Sequence, residues 1–569
     1  MAGYSDLFLD EAVNAGLLDA ASAADVKEEH ERTGKPTREL VLEQGLMDAE
    51  QVLDLTAQYL GAERVDIEHM TIPLEVQQAI PGSVARMYNV MPVAFDGTTV
   101  TLATCEMLSP EVSDEIAFVT GHDVLLAVSD GESISAAIAR YYGAEDTSMQ
   151  DVISSMEGEL AESGEISAES GAKTEDLANV EAAANSRPVV RFVNLVLYQA
   201  VQDRASDIHF EPFENEFKIR YRVDGALYEM APPPRHLALP VISRLKVISG
   251  LNIAERRIPQ DGRIQLPVGG RMIDFRVSTL PTSFGESVVL RVLDRSVVSL
   301  DLENIGMPDD LYHDFCEDIA KPNGIVVVTG PTGSGKTTTL YSALRRLNKI
   351  ENKLLTAEEP VEYDIDGIVQ VPINEAIGVT FGKVLRAFLR QDPDVIMVGE
   401  IRDLETSEIA IQASLTGHLV FSTLHTNDAA GAVTRLVDMG VEPFLISSTL
   451  QAVLGQRLVR TICTNCKTEY QPTPEILKRL GLTEKQTAGR PFYYGAGCSY
   501  CNQTGYKGRR GIYEYLRVKD PIRDLINLKK PTLVIRDKAV EMGMRTLRED
   551  GIRCILDGYT TVEEVLKYT

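Results

Sequence analysis

The octet Gly330-Pro331-Thr332-Gly333-Ser334-Gly335-Lys336-Thr337 constrains this chain more than any other stretch. It follows Ile325-Val326-Val327-Val328-Thr329, a β-branched run that reads as a buried strand. It precedes Thr338-Thr339-Leu340-Tyr341-Ser342-Ala343-Leu344, which reads as the start of a helix. Strand, glycine-rich loop and helix in that order form the context of a P-loop. The glycines let backbone N–H groups turn toward phosphate oxygens, and the helix N-terminus adds its positive dipole end. With Thr338, the octet is the candidate ATP-binding segment. Lys336 would reach the β- and γ-phosphates, and the Thr337 hydroxyl would ligate Mg²⁺.

A chain of 569 residues is long enough for several domains, each with its own core. Met1-Ala2-Gly3-Tyr4-Ser5-Asp6 shows no basic flank before an apolar run, and no run approaches the length of a membrane span. A cytoplasmic protein that meets a membrane only through partners is expected. The net charge of −28 argues against general nucleic-acid binding, which needs a basic footprint. Of the seven cysteines, Cys105, Cys316 and Cys554 stand alone and read as buried thiols. Cys463, Cys466, Cys498 and Cys501 form two C-x-x-C pairs separated by 31 residues. In a cytosolic chain two such knuckles point to one closed tetrahedral Zn²⁺ site rather than to disulfides.

Patterning divides the chain further. Residues 1–62 hold a helical repeat: Glu11 to Ala20 recurs as Leu40 to Ala49, with Gly16 and Gly45 as C-caps and Asp19 and Asp48 as N-caps. Residues 63–143 alternate strands and helices. Val90 to Phe95, Asp96-Gly97 and Thr99 to Ala103 read as a hairpin, and Ser133 to Tyr142 as a closing helix. Residues 144–186 carry eleven acidic side chains against one basic and no clear apolar period, the composition of a linker with room for a short helix. Residues 187–300 reverse the balance, with sixteen basic against twelve acidic and fourteen of the sixteen Arg. There Val189 to Asp203 reads as an amphipathic helix, and Phe217 to Val223, Arg271 to Ser278 and Ser287 to Leu293 as strands. In residues 301–569, strands at Ile325 to Thr329, Lys353 to Ala357, Val395 to Val398 and Leu419 to Thr423 alternate with helices. That pattern gives an α/β core with a parallel, doubly wound sheet, extending to about Arg460, with ligands at the strand C-terminal ends.

Three further constellations fall at strand ends. Thr356-Ala357-Glu358-Glu359-Pro360-Val361-Glu362-Tyr363 offers a carboxylate to orient an attacking water. Asp394-Val395-Ile396-Met397-Val398-Gly399-Glu400 has the apolar strand of a Walker B element. Gly399 stands where many NTPases place Asp, so Glu400 must supply the carboxylate near Mg²⁺. Thr416-Gly417-His418-Leu419-Val420-Phe421-Ser422-Thr423-Leu424-His425-Thr426-Asn427 ends in groups able to sense a γ-phosphate.

Together these motifs resemble the secretion ATPase superfamily, which drives type II secretion and type IV pilus assembly. Arg204-Ala205-Ser206-Asp207-Ile208-His209-Phe210-Glu211, Tyr221-Arg222-Val223-Asp224-Gly225, Pro259-Gln260-Asp261-Gly262-Arg263 and Arg276-Val277-Ser278-Thr279-Leu280-Pro281 are similar to the same family, over about Arg187 to Gly558. The resemblance implies a RecA-like ATPase core preceded by an Arg-rich α+β (PAS-like) domain, and a homo-hexameric ring in which that domain packs on the next subunit's core. It implies Glu358 as the base and Lys336, Thr337 and Glu400 at phosphate and metal. Arg276 and Arg291 match family arginines that approach the nucleotide, and His418 and His425 match its histidine box. Glu359 departs from the family, which more often has Asp. The tetracysteine module at 463–501 is similar to that of assembly and secretion ATPases, and retraction ATPases generally lack it.

The resemblance also implies docking on inner-membrane platform and cytoplasmic partner proteins. The N-terminal repeat is similar to a cyclic-di-GMP-binding module whose copies each begin with Arg-Leu-Gly. Here those triplets are Leu7-Phe8-Leu9 and Pro36-Thr37-Arg38, so weak or no cyclic-di-GMP binding is expected. Two alternatives stand beside the motor reading. One is a DNA-uptake or conjugation-type translocation ATPase, which the acidic charge and the tetracysteine module disfavour. The other is a cyclic-di-GMP-regulated binding protein with weak ATPase activity, which the intact octet and Glu358 disfavour.

Overall fold

The computed structural model describes residues 4–33, 36–108, 110–142, 177–268, 271–294, 301–483, 487 and 490–569. The chain divides into two compact units, Met1–Val297 and Val298–Thr569.

In the first unit the repeat is four helices, Tyr4–Asn14, Ala20–Thr33, Thr37–Glu43 and Ala49–Leu60. Asp19 accepts from the backbone N–H of Ala21 and Ser22 at 3.0 and 2.9 Å. Asp48 accepts from Gln51 N–H at 2.8 Å while the Gln51 side chain accepts from Asp48 N–H at 3.0 Å, a reciprocal capping box. A small sheet follows, formed by β1 (Glu63–Arg64), β2 (Met91–Phe95), β3 (Thr99–Thr104) and β4 (Asp123–Val128) in the order β1-β4-β3-β2. The expected hairpin is β2–β3. The Asp96 carboxylate holds its turn by accepting from the N–H groups of Thr98 and Thr99 at 2.9 and 2.7 Å.

Most of the acidic stretch 144–186 lies outside the described residues. The short helix that the segment could hold lies at its end: Leu177–Ala184, with Val180 and Ala184 buried. The alanine-rich segment has high helix propensity and one apolar face to bury, which outweighs the acidic composition upstream.

The Arg-rich region is a six-stranded sheet. Its strands are β5 (Asp207–Pro212), β6 (Phe217–Val223), β7 (Ala226–Glu229), β8 (Gln260–Val268), β9 (Arg271–Thr282) and β10 (Gly285–Leu293). The order is β7-β6-β5-β10-β9-β8, with every neighbouring pair antiparallel. Strict alternation sends Ile208, Phe210, Ile219, Tyr221, Phe275, Val277, Val288 and Leu290 into one core. The apolar stripes of helices Arg187–Gln202 and Ala238–Ile248 join that core, and the Tyr221 hydroxyl donates to the Val196 carbonyl at 2.6 Å. The opposite parity is polar. Cross-strand register places Arg263, Arg276, Arg291, Asp207 and Arg222 in one row.

The second unit is built on a seven-stranded sheet with the order β13-β12-β14-β15-β11-β16-β19. Its strands are β11 (Gly324–Thr329), β12 (Leu354–Glu358), β13 (Ile368–Pro372), β14 (Val395–Val398), β15 (Leu419–Leu424), β16 (Leu450–Ile462) and β19 (Tyr506–Arg517). All neighbours are parallel except β16–β19. Helix Lys336–Leu347 joins the core on one face. Helices Phe381–Phe388, Leu404–Leu415 and Ala429–Asp438 contribute to a second core, so the sheet is covered on both sides, as parallel strands require. The core does not end near Arg460. β16 runs through that point, and β19 returns to the sheet after the tetracysteine module, which contains β17 (Lys467–Tyr470) and β18 (Phe492–Gly495). That module therefore hangs from two core strands. β13 escapes sequence reading because a short apolar run also fits buried helix, and β16 and β19 because their glycines and arginines interrupt any strand period.

Candidate active site and metal centre

The octet sits where β11 ends. All six residues of β11 are buried, and the Thr329 hydroxyl donates to the Leu424 carbonyl at 3.0 Å, tying β11 to β15. Gly330 has φ 150°, and a Cβ there would lie 2.5 Å from the Gln456 carbonyl oxygen and 2.6 Å from Ser334 Oγ. Gly335 has φ 87° and caps helix Lys336–Leu347. Only glycine meets both demands without strain. The Lys336 ammonium curls back to donate to the carbonyls of Gly330 and Pro331 at 2.9 and 3.1 Å. Burial lowers its pKa, the Glu400 charge opposes that shift, and the Arg457 charge adds to it. Pro331, Thr332, Gly333 and Thr337 are exposed, whereas Ser334 is buried with its Oγ unpartnered. An open loop with an orphaned hydroxyl and a folded-back lysine fits a phosphate chain.

Glu358 ends β12 at 3% exposure. Its Oε1 accepts from the Thr356 hydroxyl at 2.5 Å and from Gln370 Nε2 at 3.1 Å. Its Oε2 accepts from the hydroxyl of Tyr341, a fully buried residue of the helix that follows the octet. Burial, then the Glu358 charge, holds the Tyr341 phenol well above its usual pKa, so it stays a donor.

Glu400 follows β14. Its partners are Arg402 and His425, whose Nε2 lies 3.3 Å from Glu400 Oε2. Arg402 also pairs with Glu359 at 2.8 Å. Gly399 has a packing reason. A Cβ there would stand 3.1 Å from the Ala357 carbonyl oxygen and 3.4 Å from Glu358 Cα. The backbone of β12 passes close by, so a side chain there would need β12 to shift by a few tenths of an ångström.

Lys336, Glu358, Glu400 and His425 therefore lie at the C-terminal ends of four neighbouring parallel strands, β11, β12, β14 and β15. His418 is not brought there. It precedes β15, and its Nδ1 lies 2.8 Å from the Ala413 carbonyl oxygen and 3.2 Å from Thr416 Oγ1. A six-residue strand separates it from His425 by about 20 Å. The two histidines of the expected box therefore stand at opposite ends of β15. Arg276 and Arg291 lie in the first unit, directly opposite each other on β9 and β10, and Arg291 Nε lies 3.3 Å from Asp207 Oδ1.

Sequence reasoning missed Tyr341, Gln370, Arg402 and Gln456. Tyr341 stood inside the quoted helix start and Arg402 two residues beyond the quoted Walker B strand, and their helix and strand-end positions were the available signal. Gln370 and Gln456 carry no local signal.

The four cysteines converge as spacing predicts. Sγ separations are 3.8 Å for Cys463–Cys498, 3.8 Å for Cys466–Cys501 and 3.6 Å for Cys498–Cys501. All four sulfurs lie within 4.8 Å of one another. Four ligands at about 2.3 Å around a tetrahedral Zn²⁺ stand about 3.8 Å apart. The N–H groups of Cys498 and Gly505 each donate to Cys501 Sγ at 3.3 Å, the contact that stabilises a thiolate ligand.

A phosphate-binding loop and a Walker B carboxylate at one edge of a doubly wound parallel sheet are the working end of a P-loop ATPase. Residues 182–567 match the family described as "Type II/IV secretion system protein", and residues 60–148 match the MshEN domain. The chain is 40% identical over 559 residues to the type IV pilus assembly ATPase PilB of Myxococcus xanthus, covering 98% of each. It is 43% identical over 529 residues to the type II secretion system protein E of Xanthomonas campestris pv. campestris, covering 92% of this chain and 91% of that one. The crystal structure of the ATPase DotB of Legionella pneumophila shares the fold, with TM-score 0.50 and 24% identity over 66% of this chain and 94% of that chain. The chain belongs to the type II/IV secretion system protein family.

Proposed function

We propose that this protein is the cytoplasmic motor of a type IV pilus assembly or type II secretion machine, hydrolysing ATP as a homo-hexameric ring. The convergence of Lys336, Glu358, Glu400 and His425 on one sheet edge carries the reading. The near full-length similarity to relatives named for those two machines supports it. Among the described residues no helix is long and apolar enough to cross a membrane; on this reading the motor meets the inner membrane through platform and docking proteins. The six-stranded sheet, covered by helices on one side, supports the PAS-like reading of the Arg-rich domain.

The residues take these roles. The octet's N–H groups and Lys336 hold the phosphates, with Lys336 leaving the carbonyls of Gly330 and Pro331 to do so. Thr337 and Glu400 would hold Mg²⁺, which when bound neutralises phosphate charge. Glu358, fixed by Tyr341, Thr356 and Gln370, orients the attacking water and takes its proton. His425, braced on Glu400, faces the γ-phosphate, and His418 is left an anchoring part at the far end of β15. Arg276 and Arg291 supply positive charge to a neighbouring subunit's transition state. Cys463, Cys466, Cys498 and Cys501 would hold one structural Zn²⁺. Arg38, in the second repeat triplet, donates instead to the Cys105 carbonyl, which supports weak or no cyclic-di-GMP binding.

The test is Mg²⁺-dependent ATP hydrolysis. Lys336→Ala should lose turnover by at least about 100-fold, and Glu358→Gln should bind ATP while losing hydrolysis. Undiminished turnover in the Glu358 variant removes it as the base.

A further inference from the structure

β16 lies beside β11 in parallel register, with Gly455 opposite Thr329. Gln456 and Arg457 are therefore the β16 residues level with the start of the octet. Gln456, 3% exposed, turns to the face of helix Lys336–Leu347. Its Nε2 donates to the Ser334 carbonyl at 2.7 Å, and its Oε1 accepts from the Thr339 hydroxyl at 2.9 Å. Arg457, of opposite parity, turns to the loop after β15. Its Nη2 donates to Asn427 Oδ1 at 3.1 Å and to the Asn427 carbonyl at 3.4 Å, two residues beyond His425.

Arg457 differs from the ion-paired arginines of its unit. Arg346, Arg386, Arg402, Arg460, Arg517 and Arg553 each pair with a carboxylate. Among the described residues Arg457 shows no such ion pair, and both of its hydrogen bonds go to a neutral residue. Its Nε is solvent-excluded and has no partner, as in Arg510 and Arg523, but Arg510 stacks on Tyr559 and Arg523 pairs with Asp520. A guanidinium left with a buried, unsatisfied N–H and no counter-charge costs free energy, and such a cost persists where a ligand removes it. The planar fork of arginine suits phosphate oxygens two at a time.

We propose that Arg457 is a direct contact to the phosphate chain of the nucleotide, supplied by the same chain that holds the octet. The proposal rests on the reading of that octet as the ATP site. It gives the site a cation that needs no neighbouring subunit, beside Lys336 and distinct from Arg276 and Arg291. Arg457 also joins the phosphates to Asn427, so that the loop carrying His425 registers whether nucleotide is present.

The experiment measures binding of fluorescent N-methylanthraniloyl ATP and ADP to the full chain, with AMP as competitor. Wild type, Arg457→Gln, Arg457→Lys and Lys336→Ala are compared, and each is melted without nucleotide. Arg457→Gln should weaken ATP and ADP roughly 10–100-fold, the loss expected for hydrogen bonds to a charged group. Arg457→Lys, which keeps the charge, should lose less, and nucleotide-free melting should stay near wild type in both. Affinity in Arg457→Gln within twofold of wild type, alongside a defective Lys336→Ala, overturns the proposal and leaves the octet reading standing. Equal affinity losses in both Arg457 variants, with matching falls in nucleotide-free melting, also overturn it, since Arg457 would then only pin the loop. If wild type binds neither nucleotide, the octet reading fails and takes this proposal with it.

Discussion

Replacing Tyr341 with Phe isolates the cage around Glu358. The ring stays and the packing volume hardly changes, so the loss is that of one hydroxyl. That hydroxyl is a donor to Glu358 Oε2 and an acceptor for the Glu362 N–H at 3.2 Å. Tyr341 is 0% exposed and Glu358 3%, so water does not replace the lost partner. A hydrogen bond to a charged group contributes about 1.5–3 kcal/mol, and an orphaned N–H costs about 1 kcal/mol more. Together that is roughly 2.5–4 kcal/mol against a typical domain stability of about 5–15 kcal/mol. The melting temperature of the second unit should fall by roughly 5–16 °C. The chain contains no Trp, so the transition is best followed by far-ultraviolet circular dichroism or calorimetry on nucleotide-free protein. Turnover should fall as well, because Glu358 would then be held by Thr356 and Gln370 alone, on one oxygen. An unchanged melting temperature with full turnover refutes the claim that Tyr341 fixes this carboxylate.

Metal analysis should find one Zn²⁺ per chain, and Cys498→Ser should unfold the module between β16 and β19 before the rest of the second unit melts, since metal-binding energy is folding energy there. Metal-free protein with four titratable thiols and an intact module overturns this assignment. Specific ATPase activity should rise with protein concentration, and Arg276→Ala or Arg291→Ala should cut turnover by about 10³-fold or more while sparing the fold. Equal activity in dilute monomer and assembled ring, with both variants fully active, would sink the ring account.

Much of the site could be read from short stretches. The octet needs only its own eight residues and a strand and helix on either side. The C-x-x-C pairs announce a metal site by ligand type and spacing. The Asp19 and Asp48 caps, the Asp96 turn and the alternation of β6 and β9 are likewise local, because their hydrogen bonds or side-chain periods close within a few residues. The Arg row across β8, β9, β10 and β6 was legible only as a composition, since its alignment depends on inter-strand register.

Tertiary structure alone decided the rest, because the partners are far apart in sequence. Gln456 meets the octet's Ser334 across 122 residues, and Arg402 meets Glu359 across 43. Glu358 is caged by Tyr341 because β12 ends beside the helix after the octet, which no periodicity encodes. His418 and His425 look like one motif in sequence, yet an extended strand holds them apart, and only His425 lies at the C-terminal strand ends beside Glu400. β19 belongs to the core although a whole module separates it from β16, because antiparallel pairing repays closing that loop. Sequence determined which chemical groups this protein carries and the local backbone that presents them. The order of strands in the sheet decided which of those groups share one edge.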